Sequence, residues 1–205
     1  MAANSIPFSD YGKHSKPKRC YLDSSFVIHL LQFGLTTGVP DPRDAACDKF
    51  HGQLITDGVQ LVASLFTFSE LLHIYCFKYR GGMYDEAKKF LGKPAASGDS
   101  AVKEFSRKYP ADCEAAWKKI SYRLQASEYV FDQRKIGIVY PIGSPPMLDK
   151  TRDIVFYASI LKDAFVGVGV TDAVHLSIAS HLGADAVVSM DRGFLTVDGF
   201  TVYFA

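Results

Sequence analysis

Carboxylates at the ends of secondary-structure elements are the residues here best placed to do chemistry. Asp23 follows the apolar run Arg19–Leu22, and Glu70 sits early in an amphipathic stretch. Asp172 opens a second periodic stretch, and Asp191 directly follows the apolar run Ala186–Met190. Carboxylates that converge repel one another unless a cation holds them ionised together. Oxygen donors of this kind select Mg2+ or Mn2+ over zinc. Such an ion keeps several waters and is completed by substrate phosphate. The chemistry this pattern predicts is metal-assisted hydrolysis of a phosphodiester. Each acid also has a structural explanation. Asp23 and Asp191 could be turn residues, Asp172 could complement a helix dipole, and Thr67-Phe68-Ser69-Glu70 matches a capping box.

The elements that must position these acids read as alternating strands and helices. Strands are expected at Arg19–Leu22, Val59–Ser64, Ile136–Ile142, Ala186–Met190 and Phe200–Phe204, the last as an edge strand. Between them the 3.6-residue period predicts helices over Phe26–Phe33, Arg43–Thr56, Phe66–Arg80, Leu148–Ala164 and Thr171–Leu182. Ser24 or Ser25 would cap the first, and Thr171 the last. Strands separated by helices make a largely parallel sheet with helices on both faces. In such sheets ligands bind beyond the carboxyl ends of the strands, which is where Asp23 and Asp191 fall.

The 205 residues fit one domain, 48% hydrophobic and 22% charged, with no apolar run near the ~20 residues a membrane helix needs. Residues 1–18 show no period and read as a loose, flexible tail. Without an apolar signal core the chain is expected in the cytoplasm. Cys20, Cys47, Cys76 and Cys113 are scattered, which suits reduced thiols. Residues 83–135 read as a charged helical insertion with Trp117, Ile120 and Leu124 facing inward. From Cys76 to Lys135 there are 13 Lys/Arg against 8 Asp/Glu. That local excess suits either a phosphate-backbone surface or an ordinary solvated helical face. Trp117, Tyr122 and Tyr129 could stack on bases, although aromatics at helical spacing are more often core. His73, His175 and His181 read as packing or surface residues, with His175 also able to support the acids from one turn beyond Asp172.

Four segments resemble the PIN domain family of nucleases: Tyr21-Leu22-Asp23-Ser24-Ser25, Phe68-Ser69-Glu70-Leu71, Thr171–Ala179 and Val187–Phe194. The resemblance spans roughly residues 19–80 and 136–205. It implies a PIN-like three-layer α/β sandwich in a single domain over 1–205, with the helical insertion added. It also implies that Asp23, Glu70, Asp172 and Asp191 bind Mg2+ or Mn2+ and catalyse hydrolysis of RNA, with Ser189 supporting the site. Among compact members are VapC-type toxins, so the resemblance extends to a toxin role, an antitoxin partner and a homodimer. The alternative is a non-catalytic PIN-like module that binds RNA or protein.

Overall fold

A computed structural model gives the architecture and describes residues 4–31, 41–77, 81–92, 98–139, 168–197 and 199–205. Six strands form one sheet: β1 (Asn4–Pro7), β2 (Arg19–Leu22), β3 (Gln60–Ser64), β4 (Ile136–Val139), β5 (Ala186–Val188) and β6 (Thr201–Phe204). Their order is β1-β6-β5-β2-β3-β4, and every neighbouring pair is parallel. The central runs are short and apolar because both faces of the sheet are covered.

Alternation along the strands divides the core in two. Cys20, Leu22, Leu61, Ala63, Ala186 and Val188 point to one face. There they meet α1 (Ser24–Leu30), α2 (Pro42–Thr56), α3 (Leu65–Phe77), α4 (Met83–Leu91), α5 (Gly98–Lys108) and α6 (Pro110–Gln133). Tyr21, Val62, Val187 and Val202 point the other way, against Ala173, Leu176, Ile178 and Ala179 of α7 (Val170–His181). The result is the expected three-layer α/β sandwich. A one-residue slip of β2 or β5 would exchange these faces, so the two cores together lock the register.

The topology also sets the place for chemistry. From β2 the chain moves outward through β3 to β4, then returns to β5 on the other side of β2 and continues to β6. The connections leaving β2 and β5 therefore diverge, and a crevice opens between the carboxyl ends of those two strands.

Several expectations are corrected. Residues 4–13 are not a loose tail: Asn4–Pro7 pair with β6, and Phe8–Lys13 form a 3-10 helix. Ile6, Phe8 and Tyr11 are buried, and Phe8 stacks on Phe50 with ring centroids 4.0 Å apart. A short strand running straight into a 3-10 turn has neither period long enough to be read. With β1 outside it, β6 is an interior strand and not an edge. Asp23, rather than Ser24 or Ser25, caps α1, and Gly169, rather than Thr171, caps α7. Trp117 turns outward, 43% exposed, as do Tyr122 at 73% and Tyr129 at 65%. The four cysteines are free thiols. The predicted helix at 148–164, most of the breaker-rich loop before α2 and the end of the predicted third strand lie outside the described residues. Among the described residues, no helix is long and apolar enough to cross a membrane.

Candidate metal centre

Asp23 leaves β2 at the crevice. Its backbone N–H still bonds to the Val188 carbonyl at 3.0 Å, extending the β2–β5 ladder by one residue. The side chain then turns back to cap α1 and is only 3% exposed. A buried carboxylate is costly unless hydrogen bonds replace its water. Here Oδ2 accepts from the Ser25 amide at 3.2 Å, from Ser189 Oγ at 2.9 Å and from Ser25 Oγ. Both hydroxyls are themselves held, Ser25 Oγ by the Met190 amide at 2.9 Å and Ser189 Oγ by the Asp191 amide at 3.0 Å. The turn after β5 thus braces the acid after β2, and Oδ1 is the oxygen left over.

Asp172 lies in the first turn of α7 and reaches back to the Gly169 N–H at 3.3 Å. A Cβ at position 169 would sit 3.1 Å from its Oδ2, so a glycine there makes room for the carboxylate. Burial pushes the Asp172 carboxyl above its ordinary value, and the charges of Asp191 and Asp23 push it further. Among the described residues, Asp172 and Asp191 are not in the group of donors that lie within 4.8 Å of one another with Asp23, so they neighbour the cluster of Asp23, Glu70 and His175 rather than belong to it. Asp191 is exposed, caps the 3-10 helix Arg192–Thr196 and accepts from the Gly193 amide at 2.8 Å.

Glu70 belongs to the second turn of α3, because that helix starts at Leu65, directly on the end of β3. The capping-box reading fails, and Thr67 is buried inside the helix. The Glu70 carboxylate instead bonds His175 Nε2 at 2.6 Å. Burial works to raise the Glu70 carboxyl, but the bond to His175 and its charge prevail and hold it below its ordinary value.

His175 is the residue that sequence reasoning undervalued. It is 1% exposed on α7 and also lies 3.4 Å from Asp23 Oδ1. Burial would lower its pKa, but the Glu70 bond and the charges of Asp23, Glu70 and Asp172 raise it instead. The available signal was its spacing: three residues past Asp172 is the same helical face one turn on. Asp23 and Glu70 thus share the His175 ring nitrogen. Donor atoms of Asp23, Glu70 and His175 all lie within 4.8 Å of one another.

The donor set fits a hard divalent cation. Four carboxylates meet at most one positive imidazole. Among the described residues, none of the four is in an ion pair with a lysine or arginine. Burial, then the charges of Asp191 and Asp23, raise the Asp172 carboxyl, and an oxygen-seeking ion would favour its charged form.

No protein-family model matches the chain, and no curated protein matches it. Among solved structures, FitAcB from Neisseria gonorrhoeae is similar with a TM-score of 0.40 at 14% identity, over 90% of this chain and 96% of that one. At that score the likeness carries no functional weight, and the chemistry rests on the geometry above.

Proposed function

We propose that the chain is a divalent-metal-dependent endoribonuclease of the PIN-like kind, hydrolysing RNA phosphodiester bonds. What supports this reading is the convergence of donor atoms of Asp23, Glu70 and His175 within 4.8 Å of one another at the carboxyl end of β2, with Asp172 near enough for the charges of Asp191 and Asp23 to add to the effect of burial on its carboxyl. The resemblance of the same segments to PIN nucleases supports it independently. Asp23, Asp172, Asp191 and Glu70 would hold Mg2+ or Mn2+. When bound, such an ion supplies an activated water and neutralises charge developing on the phosphate.

The chain's own residues prepare that site. Ser25 and Ser189 occupy one oxygen of Asp23 and leave the other, Oδ1, facing His175 Nε2 at 3.4 Å. Gly169 anchors Asp172, and the Gly193 amide anchors Asp191. The proposal includes a cytoplasmic setting and, from the resemblance, a homodimer and a toxin role with a protein antitoxin.

The test is cleavage of single-stranded RNA with Mn2+ or with chelator, using wild type, Asp23→Asn and Asp172→Asn. Wild type cleaves only with metal, and each variant loses at least about 100-fold, the scale on which removal of one electrostatic group acts. Cleavage in chelator, or full activity in either variant, overturns the assignment. RNA binding without cleavage by any form leaves the non-catalytic module.

A further inference from the structure

The clustering of Asp23, Glu70 and His175 suggests a three-ligand site in which the imidazole binds the ion. The hydrogen bonds around the ring argue otherwise. We propose that His175 is a positioning residue and not a metal ligand: its Nε2–H holds Glu70, and Tyr21 and Ser64 set which ring nitrogen carries the proton. This rests on the metal-centre reading above.

The argument starts at the Glu70 end. An ionised carboxylate only accepts, so the proton in the 2.6 Å contact belongs to Nε2. A protonated nitrogen has no lone pair to give a metal. The other ring nitrogen, Nδ1, is 2.7 Å from the Tyr21 hydroxyl, which is 2.8 Å from Ser64 Oγ. In the neutral ring Nδ1 must accept, so Tyr21 donates to it and Ser64 donates to Tyr21. The relay Ser64–Tyr21–His175–Glu70 then runs in one direction, every hydrogen finding an acceptor. Running it backwards would need Glu70 to carry the proton. In the imidazolium both ring nitrogens donate and Tyr21 turns to Ser64, so Nε2 stays protonated in either state.

The ring has no freedom to escape this role. Phe66 packs edge-on at 4.9 Å between centroids, and the Tyr21 ring lies 5.7 Å away. Tyr21 and Ser64 are buried strand residues of β2 and β3. The relay therefore ties β2 and β3 to α7 and fixes a Glu70 oxygen. It also places an N–H between the Glu70 and Asp23 carboxylates, where two like charges would otherwise face each other.

Two measurements decide it. Long-range 1H–15N correlation on the labelled, metal-free wild-type chain should show Nε2 of His175 as a protonated nitrogen, unchanged when Mg2+ is added to saturation. A bare Nε2, or one that shifts strongly with Mg2+, makes His175 a ligand and overturns the proposal. Mn2+ affinity, followed by electron paramagnetic resonance, should weaken about 10-fold in His175→Phe, as loss of a ligand's hydrogen-bond partner does. His175→Gln, whose amide can still donate, should recover most of it, and Tyr21→Phe should fall between. If His175→Phe proves unfolded by circular dichroism, Tyr21→Phe carries the affinity test. Wild-type Mn2+ affinity in both His175→Phe and Tyr21→Phe, with Asp23→Asn still impaired, overturns the positioning role alone. Wild-type affinity in Asp23→Asn overturns the metal reading beneath it, while the nitrogen spectrum still judges the bond to Glu70.

Discussion

The surroundings of Asp172 oppose its charge. Burial and two neighbouring acids favour the protonated carboxyl, so its pKa in the fold exceeds the unfolded value of 3.8. A group shifted upward contributes stability that is full below the unfolded pKa and lost as pH rises through the folded one. Metal-free protein should therefore gain stability as the medium is acidified from neutrality towards that range, as far as this residue decides it. Asp172→Asn removes the repulsion, and calorimetry at pH 7 without metal should show Tm unchanged or higher by about 2 °C. A lower Tm would mean that its bond to Gly169 outweighs the repulsion. On the proposed reading, Asp172→Asn should lose activity while keeping or gaining stability, as expected where function maintains strain.

The elements were legible where one period persisted. The apolar runs expected at 19–22, 59–64 and 186–190 hold strands at 19–22, 60–64 and 186–188, and α2 falls within one residue of its expected place. Asp23, Asp172 and Asp191 could be placed because each adjoins such a run. Glu70 was harder, since Thr67-Phe68-Ser69-Glu70 mimics a capping box, whereas α3 begins at Leu65 and puts the residue in its second turn. The His175 relay was not legible at all, because its members come from β2, β3, α3 and α7 and their bonds depend on the packed sheet. The same holds for β1, whose identity depends on a partner some 200 residues away in the chain. Its role gives a prediction: Phe8→Ala removes a ring that stacks on Phe50 and meets Phe26 edge-on. It should destabilise by about 3 kcal/mol, read from denaturant unfolding; a change below 0.5 kcal/mol would return this segment to the status of a tail. The helices at 83–133 explain their own charge. Lys88, Lys89, Lys103, Lys108 and Lys118 each pair with an acid three or four residues earlier, the habit of a solvated face.

At the scale of the whole molecule, a cation that binds only the native state should raise its stability by mass action. At a concentration about 100 times its Kd the gain is about 2.7 kcal/mol. Thermal unfolding with and without Mn2+ should show the rise in wild type and its loss in Asp23→Asn; equal Tm values for wild type in the two conditions would count against the site. The sheet order carries one more consequence. β2 and β5, which frame the crevice, lie about 165 residues apart, and β1 meets β6 across a still longer stretch. Pairings this remote form slowly because the intervening chain must first be gathered in. A nascent polypeptide emerging from the ribosome cannot assemble the acidic pocket until residue 191 has left the exit tunnel. A product terminated before β5 lacks Asp191 and the Ser189 hydroxyl that holds Asp23.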